Sequence, residues 1–400
     1  MSDTTVLGEV ALGYSAFIDR NRSVSATRLT VFPLRPDATP DVGQLLHEIG
    51  NVWPAAGGRV SLNIVSESLL HDVMLAKPSA NLMVEVPSFM ATDTANIELL
   101  LALRANGSTM LLKGRPLKEL PREVLPCFKY SIIDLADERR VNDPSPPPGV
   151  TRTILHVQSG VRTVIEMEAA FARGAEAVLG WPIDDAVTTT AARQGQQAGP
   201  GMQAIVKLIH QVDKEESIEK LENTLKLDPA LAFKLLRYIN SPAFGLRVEI
   251  SSFRHAIMML GYKRLKRWLA LLLATASKDV NLKPVMFAAV RRGLLMEELV
   301  RSTGDEEMRN EMFICGVFSL LDRMFQQPFA TLLDTIPVPE RVHQALAGET
   351  GPFQPYIELV RAVEGESLFE FRDAADTLMM SVSEINRAQL RALMAASELE

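Results

Sequence analysis

AVTTTAARQGQQAGPG, residues Ala186 to Gly201, is small, polar and glycine-rich with no apolar period, so it reads as a linker between two folded units. A chain of 400 residues is expected to divide in this way, because single cores stop growing beyond about 250–300 residues. Upstream of the linker, short β-type runs alternate with helical stretches. The strands are expected at Glu9 to Ile18, Arg28 to Leu34, Val60 to Ile64, Leu82 to Val86, Thr109 to Leu112, Tyr130 to Asp134, Ile154 to Val157 and Ala177 to Leu179. Strands separated by helices imply βαβ units and a largely parallel sheet, and this many suggest a (β/α) barrel. The barrel is expected to be incomplete after Asp134. There ADERRVNDPSPPPGV carries Pro144, Pro146, Pro147 and Pro148 where a crossover helix belongs.

Downstream of the linker the period changes to that of helices almost throughout. In DPALAFKLLRYINSPAFG, Asp228 stands at an N-cap and Pro229 at the first helical position, and the apolar stripe runs Leu231, Leu235, Leu236, Ile239. The helix stops near Asn240, because Ser241 precedes Pro242 and is pushed out of the α region. The fold class is therefore α/β followed by all-α: a barrel-like domain over 1–185, a linker over 186–201 and a helical domain over 202–400.

Composition removes several classes of function. Hydrophobic residues at 47% and charged residues at 23% exclude wholesale disorder. The longest apolar run, near Leu269 to Ala276, falls far short of the roughly 18 residues of a membrane span. The Met1 end has no basic or apolar leader pattern, and Cys127 and Cys315 lack the paired spacing of a zinc site, so a soluble, cytoplasmic protein is expected. A net charge of −7 offers no global attraction to nucleic acid. Phosphate-binding, dinucleotide, zincin and hydrolase-elbow motifs are absent. Met258-Met259 and Met379-Met380 sit at helical spacing with leucines and are expected in the core.

The downstream residues resemble the HDOD domain, a bacterial signalling module. The resemblance rests on Asp228, Pro229, Leu231, Leu236, Asn240, Ser241, Gly245, Ala256, Ile257, Leu260 and Gly261. HDOD domains look like HD phosphohydrolases without their metal ligands. In keeping with that, the helical half has only His210, His255 and His343, none of them followed by Asp, and the His71-Asp72 pair upstream reads as a helix-surface pair.

Residues 9 to 184 are similar, more weakly, to an EAL domain, the cyclic di-GMP phosphodiesterase barrel. GYSAFIDR looks like the signature strand, SLNI like the strand with a metal-binding Asn (Asn63), LMVEV like the strand with a metal-binding Glu (Glu85), and YSIIDL like the strand ending in Asp134. The other positions of the resemblance are lost: Ser15 replaces the signature Glu, Lys113-Gly114 an Asp pair, Ile132 a Lys, Gln158 and Arg162 two Glu positions, and Leu179 a Gln. Cleavage of a phosphodiester by this route needs two divalent cations and several carboxylates to neutralise them. Lys113 and Arg162 would add positive charge instead.

The expected protein is a non-catalytic signalling scaffold with a degenerate EAL-like barrel and an HDOD domain, without metal or cofactor, acting through contacts with a kinase or regulator. The alternative is a cyclic di-GMP receptor or weak residual phosphodiesterase. The turn at Asn240 and Ser241 together with Arg247, Arg254, Lys263, Arg264, Lys266 and Arg267 is the candidate interaction patch. Nucleic acid is not expected as a partner, no groove-reading motif being present. The open flank after Asp134 is expected to be covered by the helical domain or by a second subunit in a homo-oligomer.

Overall fold

The β-runs of the first half fold as β1 (Val10–Asp19), β2 (Val24–Pro33), β3 (Val60–Ile64), β4 (Leu82–Pro87), β5 (Met110–Lys113), β6 (Phe128–Asp134), β7 (Leu155–Ser159) and β8 (Ala177–Leu179). The computed structural model describes residues 5–35, 39–54, 58–138, 154–185, 200–226, 231, 234–235, 238–240, 252–275 and 279–397. The strands close in sequence order into a barrel, as their number led us to expect. The sheet also departs from a uniformly parallel one. A tight turn after Asp19 returns the chain as a hairpin, so β1 runs antiparallel to both β2 and β8 while the remaining pairs are parallel.

Helices α1 (Val42–Val52), α2 (Glu67–Leu75), α3 (Ser88–Ala91), α4 (Ile97–Ala105) and α5 (Val164–Ala172) lie between successive strands. Local chemistry sets their starts: the Asp41 carboxylate accepts from the Gln44 amide, and Thr163 with Glu166 forms a capping box on α5. Between β5 and β6 only a short 3-10 turn occurs, Leu125–Cys127. The proline-rich connection after β6 lies outside the described residues, as does most of the linker.

Side chains alternate across a strand, so residues two apart share a face. Phe17, Ala26, Met83, Leu111, Ile132, Val157, Ala177 and Leu179 pack as one cluster drawn from all strands but β3, which places them inside the barrel. Arg28, Thr30, Glu85 and Lys113 continue the same parity toward the carboxyl ends of their strands, and Ser15 on the antiparallel β1 points the same way as Phe17. The interior therefore has an apolar floor and a polar mouth.

The chain separates into two compact units: Met1–Asp185 with Lys283–Ala288 and Pro355–Glu400, and Ala186–Leu282 with Ala289–Gln354. The expected helical domain over 202–400 is corrected at its carboxyl end, since the last helices belong with the barrel. The reason lies on β1. Only Phe17 to Asp19 pair with β8, which leaves the earlier part of β1 with one edge unpaired. The helix Val382–Ser397 lies along that edge. Asn386, fully buried, takes the place of a neighbouring strand: its amide nitrogen donates to the Leu7 and Val10 carbonyls at 2.8 and 2.7 Å, and its oxygen accepts from the Leu12 amide at 3.1 Å.

The second unit is helical in its described residues, with helices Pro200–Asp213, Ile218–Lys226, Phe253–Ala274, Glu306–Phe318 and Glu340–Ala347 among them. Gly261 breaks the Phe253–Ala274 helix at φ 66° and ψ 168°, a conformation open almost solely to glycine. It divides the helix into two segments. Met258 and Met259 are 62% and 47% exposed and Met379 is 93% exposed, which corrects their assignment to the core. Ala256, Ile257 and Leu260 fill the inward face of their helix and turn the two methionines out.

Asn386→Ala leaves one amide and two carbonyls without partners in a buried setting, each such loss costing about 1–3 kcal/mol. The barrel is expected to lose about 2–4 kcal/mol in urea unfolding followed by Trp53 and Trp181 fluorescence. A loss below about 1 kcal/mol would show that this residue does not hold the helix to β1.

Candidate functional site

Arg28 is the only charged residue of the strand ATRLTVF, and its inward parity carries a guanidinium into the barrel mouth. Its side chain is 10% exposed and that of Glu85 is 0% exposed. The two form a fork: Arg28 Nε donates to Glu85 Oε1 at 3.0 Å and Nη2 to Oε2 at 2.7 Å, while the Ser61 hydroxyl donates to Oε1 at 3.0 Å. The remaining guanidinium nitrogen, Nη1, donates at 3.1 Å to Oε2 of Glu366, a residue of the carboxyl-terminal segment. Oε1 of Glu366 accepts from the Thr30 and Ser15 hydroxyls at 2.5 and 3.3 Å. Thr30 Oγ1 in turn accepts from Asn63 Nδ2 at 2.9 Å, and Lys113 Nζ donates to Asn63 Oδ1 at 2.6 Å.

The chain of contacts from Lys113 through Asn63, Thr30, Glu366 and Arg28 to Glu85 joins two fixed cations to two carboxylates. Burial alone would lower the Arg28 pKa, but Glu85 and Glu366 more than offset it and hold the guanidinium above its ordinary value. Lys113 is driven the other way: burial first, then the Arg28 charge, lower its pKa against the pull of Glu85 and Glu366.

Among the expected ligand positions, Asn63 and Glu85 do meet in this network. Asp134 is occupied elsewhere, accepting from the Ala136 amide at 3.0 Å and the Ser159 hydroxyl at 3.3 Å. Of the lost positions, Ser15 and Lys113 lie in the mouth, whereas Ile132 and Leu179 belong to the apolar floor. Gly114 continues β5 and donates its amide to the Ile132 carbonyl at 2.9 Å. Two expectations are corrected. Gln158 follows the inward Val157 and so faces away from the interior, its amide donating to the Ile133 carbonyl at 2.8 Å. Arg162 is exposed and pairs with Asp184 at 2.5 Å, adding no charge to the mouth. Arg28, Thr30, Ser61 and Glu366 were not singled out in the sequence. Arg28 had a signal, a lone charge on the inward parity of an apolar strand; Glu366 had none.

A pair of divalent cations does not fit this residue set. Both Glu85 oxygens face Arg28 donors, the Asn63 oxygen faces an ammonium, and the charge of the four ionisable groups already sums to zero. Among the described residues no group of three or more His, Cys, Asp or Glu side chains is placed to hold a metal ion. His71 and Asp72 are a half-exposed pair at 4.0 Å on α2, as expected. In the helical unit, His210 Nε2 donates to the Thr335 carbonyl at 2.8 Å.

The basic patch of that unit is not an open cationic surface. Lys266 pairs with Asp213 at 2.5 Å and Arg254 with Glu222 at 3.2 Å. Arg267 donates to Glu297 at 2.7 Å and lies 3.7 Å above the Phe313 ring. Lys263 and Arg264 stay exposed. Of the HDOD-like positions, Leu231 and Leu260 are buried and Asn240 ends a helical turn. Asp228, Pro229, Ser241, Gly245 and Arg247 lie outside the described residues. No described helix is long and apolar enough to cross a membrane. Burial raises the pKa of both thiols, Cys127 and Cys315.

Residues 200–326 match the HDOD domain, so the chain carries that domain. An uncharacterized protein of Bacillus subtilis, YuxH, is 28% identical over 168 residues, 40% of each chain. The cyclic di-GMP phosphodiesterase CdgJ of Vibrio cholerae is 28% identical over 145 residues, 36% of this chain and 34% of the relative. The match thus spans well under half the length of either relative. Among solved structures, the EAL enzyme Bd1971 in its cGMP-bound form aligns over 43% of this chain and 60% of its own, with a TM-score of 0.33 and 14% identity. BlrP1 of Klebsiella pneumoniae, as a calcium and cyclic di-GMP complex, aligns over 46% and 57%, with a TM-score of 0.32 and 15% identity.

Removing one partner of a buried ion pair costs about 3–5 kcal/mol, more than replacing both by apolar groups. Arg28→Met is expected to destabilise the barrel by about that amount, and adding Glu85→Leu is expected to recover part of the loss. A double variant whose loss equals the sum of the single losses would show that the two side chains are uncoupled.

Proposed function

We propose that this chain is a non-catalytic signalling scaffold, in which an EAL-like barrel that has exchanged its metal site for an internal ion-pair network is joined to an HDOD domain that docks a kinase or regulator. The observation that carries this reading is the bidentate Arg28–Glu85 pair at 3.0 and 2.7 Å. A carboxylate that neutralises a guanidinium cannot also neutralise a divalent cation without giving up the first partner. Phosphodiester cleavage by the two-metal route needs metal-held oxygens on both sides of the phosphorus, and both carboxylates of the mouth are already engaged by protein donors.

The relative from Vibrio cholerae, named as a cyclic di-GMP phosphodiesterase, and the resemblance of residues 9 to 184 to EAL domains support a role for this chain in cyclic di-GMP signalling. Its contribution there would be binding of other proteins rather than turnover. Arg254 and Arg267 are bound up in internal pairs with Glu222 and Glu297, which favours a protein partner over a polyanion such as nucleic acid.

Calorimetric titration with cyclic di-GMP in Mg2+ or Mn2+, followed by chromatography of the same samples, tests the reading. Neither heat at tens of micromolar nor linear product is expected. Binding without product would make the chain a receptor, and product that disappears in Glu85→Gln would overturn the scaffold reading.

A further inference from the structure

The turn that carries Glu366 has a feature that the ion pair alone does not require. The helix Gln354–Glu364 ends in a Schellman motif: the Ser367 amide donates to the Ala362 carbonyl at 3.2 Å, and Glu366 occupies the left-handed position with φ 53°. Glycine is favoured at that position and stands one residue earlier, at Gly365. A glutamate there holds a left-handed backbone that side chains adopt less readily than glycine. What it gains is placement of its carboxylate: three donors, from Arg28, Thr30 and Ser15, converge on the two oxygens. Opposite the turn, Gly13 supplies the clearance. A Cβ at that position would stand 3.1 Å from the Val363 carbonyl oxygen and 3.2 Å from the Glu366 Cα. The seam between hairpin and turn, lined by Leu12, Gly13, Phe32, Val363 and Phe371 among others, leaves no space for a water molecule. The Glu366 side chain is nevertheless 18% exposed, so the carboxylate lies at the edge of solvent rather than sealed in the core.

We propose that the barrel mouth is a carboxylate-binding site that the chain fills with its own Glu366, the Gly365–Ser367 turn serving as a gate. The receptor is the set Arg28 Nη1, Thr30 Oγ1 and Ser15 Oγ, pre-oriented by the Glu85 fork on one side and by Asn63 on the other. An external carboxylate takes this place only by displacing Glu366, and doing so frees the turn from β1 and β2. A tethered carboxylate competes at an effective concentration of millimolar or more, so the closed state predominates and free carboxylates bind the intact protein weakly. The inference stands on the mouth's geometry and holds whether or not the chain turns over a nucleotide.

Chemical rescue tests it, with formate as the probe. Glu366→Ala empties the receptor, and formate is expected to raise the melting midpoint of that variant saturably, with an apparent dissociation constant at least about tenfold lower than for the wild type. Inorganic phosphate run in parallel separates a carboxylate-shaped site from a general anion site: weaker rescue by phosphate supports the proposal, and rescue by phosphate equal to that by formate overturns its carboxylate specificity. Glu366→Gly, which also empties the receptor and suits the left-handed backbone position, serves as the same test should the alanine variant fold poorly. The saturable response is expected to vanish when Arg28→Lys, a cation without the fork geometry, is combined with either variant. No saturable response to formate in either Glu366 variant, or one that survives the Arg28 change, overturns the proposal. Proteolysis supplies a second readout: the Gln354–Leu368 region of the variant is expected to be cut faster than in wild type, and formate is expected to slow that cutting only where the receptor is intact.

Discussion

A guanidinium inside a β-barrel has to be neutralised on the spot, and much of the first unit is arranged around that requirement. Arginine does not give up its proton in proteins, so burial leaves no route but partners. Glu85 supplies a planar fork from β4, yet it saturates only two of the guanidinium nitrogens. The third reaches Glu366, hundreds of residues away in sequence. One side chain thereby ties β2 and β4 to the carboxyl-terminal helices, and Asn386 ties the same helices to the free edge of β1. Residues 355–400 group with the barrel, and these two polar anchors add to the apolar packing there, a buried polar group left without its partner costing about 1–3 kcal/mol.

The same cation sets the chemistry of the mouth. Metal-assisted hydrolysis requires a surplus of carboxylate oxygens facing open coordination positions. In this mouth each carboxylate faces a donor, and Lys113 closes on the Asn63 oxygen. The depressed pKa of Lys113, from burial and from Arg28, reports that positive charge is already costly at this place. A second or third positive centre would have to work against both. Buried networks of this kind rigidify the structure when every member is satisfied.

How far the sequence revealed this depends on whether the deciding partners are local. All eight strands and the helical second half could be read from period and turn residues, because the alternation and the 3.6-residue stripe arise from each segment's own burial. The barrel itself was suggested by the number of strands, but the antiparallel pairing of β1 with β8 that closes it was not legible, the two strands being separated by most of the unit. Nor was the direction of β1, which follows from a tight turn at Arg20–Ser23 in place of a crossover helix. Asn63 and Glu85 were found through resemblance and do meet. Gln158 faces away because a one-residue difference in register moves a side chain to the other face of a strand and at β7 the inward residue is Val157, while Arg162 lies beyond that strand, where Asp184 pairs with it. Glu366 could not be found at all from its surroundings, a polar residue after a helix being the commonest thing a loop contains.

The basic run in the helical unit shows the converse error, a local pattern that overstates function. Lys263, Arg264, Lys266 and Arg267 are close in sequence and read as one cationic surface, but a helix turns about 100° per residue and distributes neighbours around its circumference. Arg267 points toward Phe313 and Glu297, Lys266 toward Asp213, and the remaining two toward solvent. Charge density along the chain is therefore not charge density in space. Glu297, shared between Arg267 and Arg309 at 2.5 and 3.2 Å, is instead the centre of a structural cross-link between the Phe253–Ala274 and Glu306–Phe318 helices. Both units of the protein thus rely on one device, a glutamate held by arginine from a distant segment. In the helical unit the glutamate is the shared centre; in the barrel the arginine is.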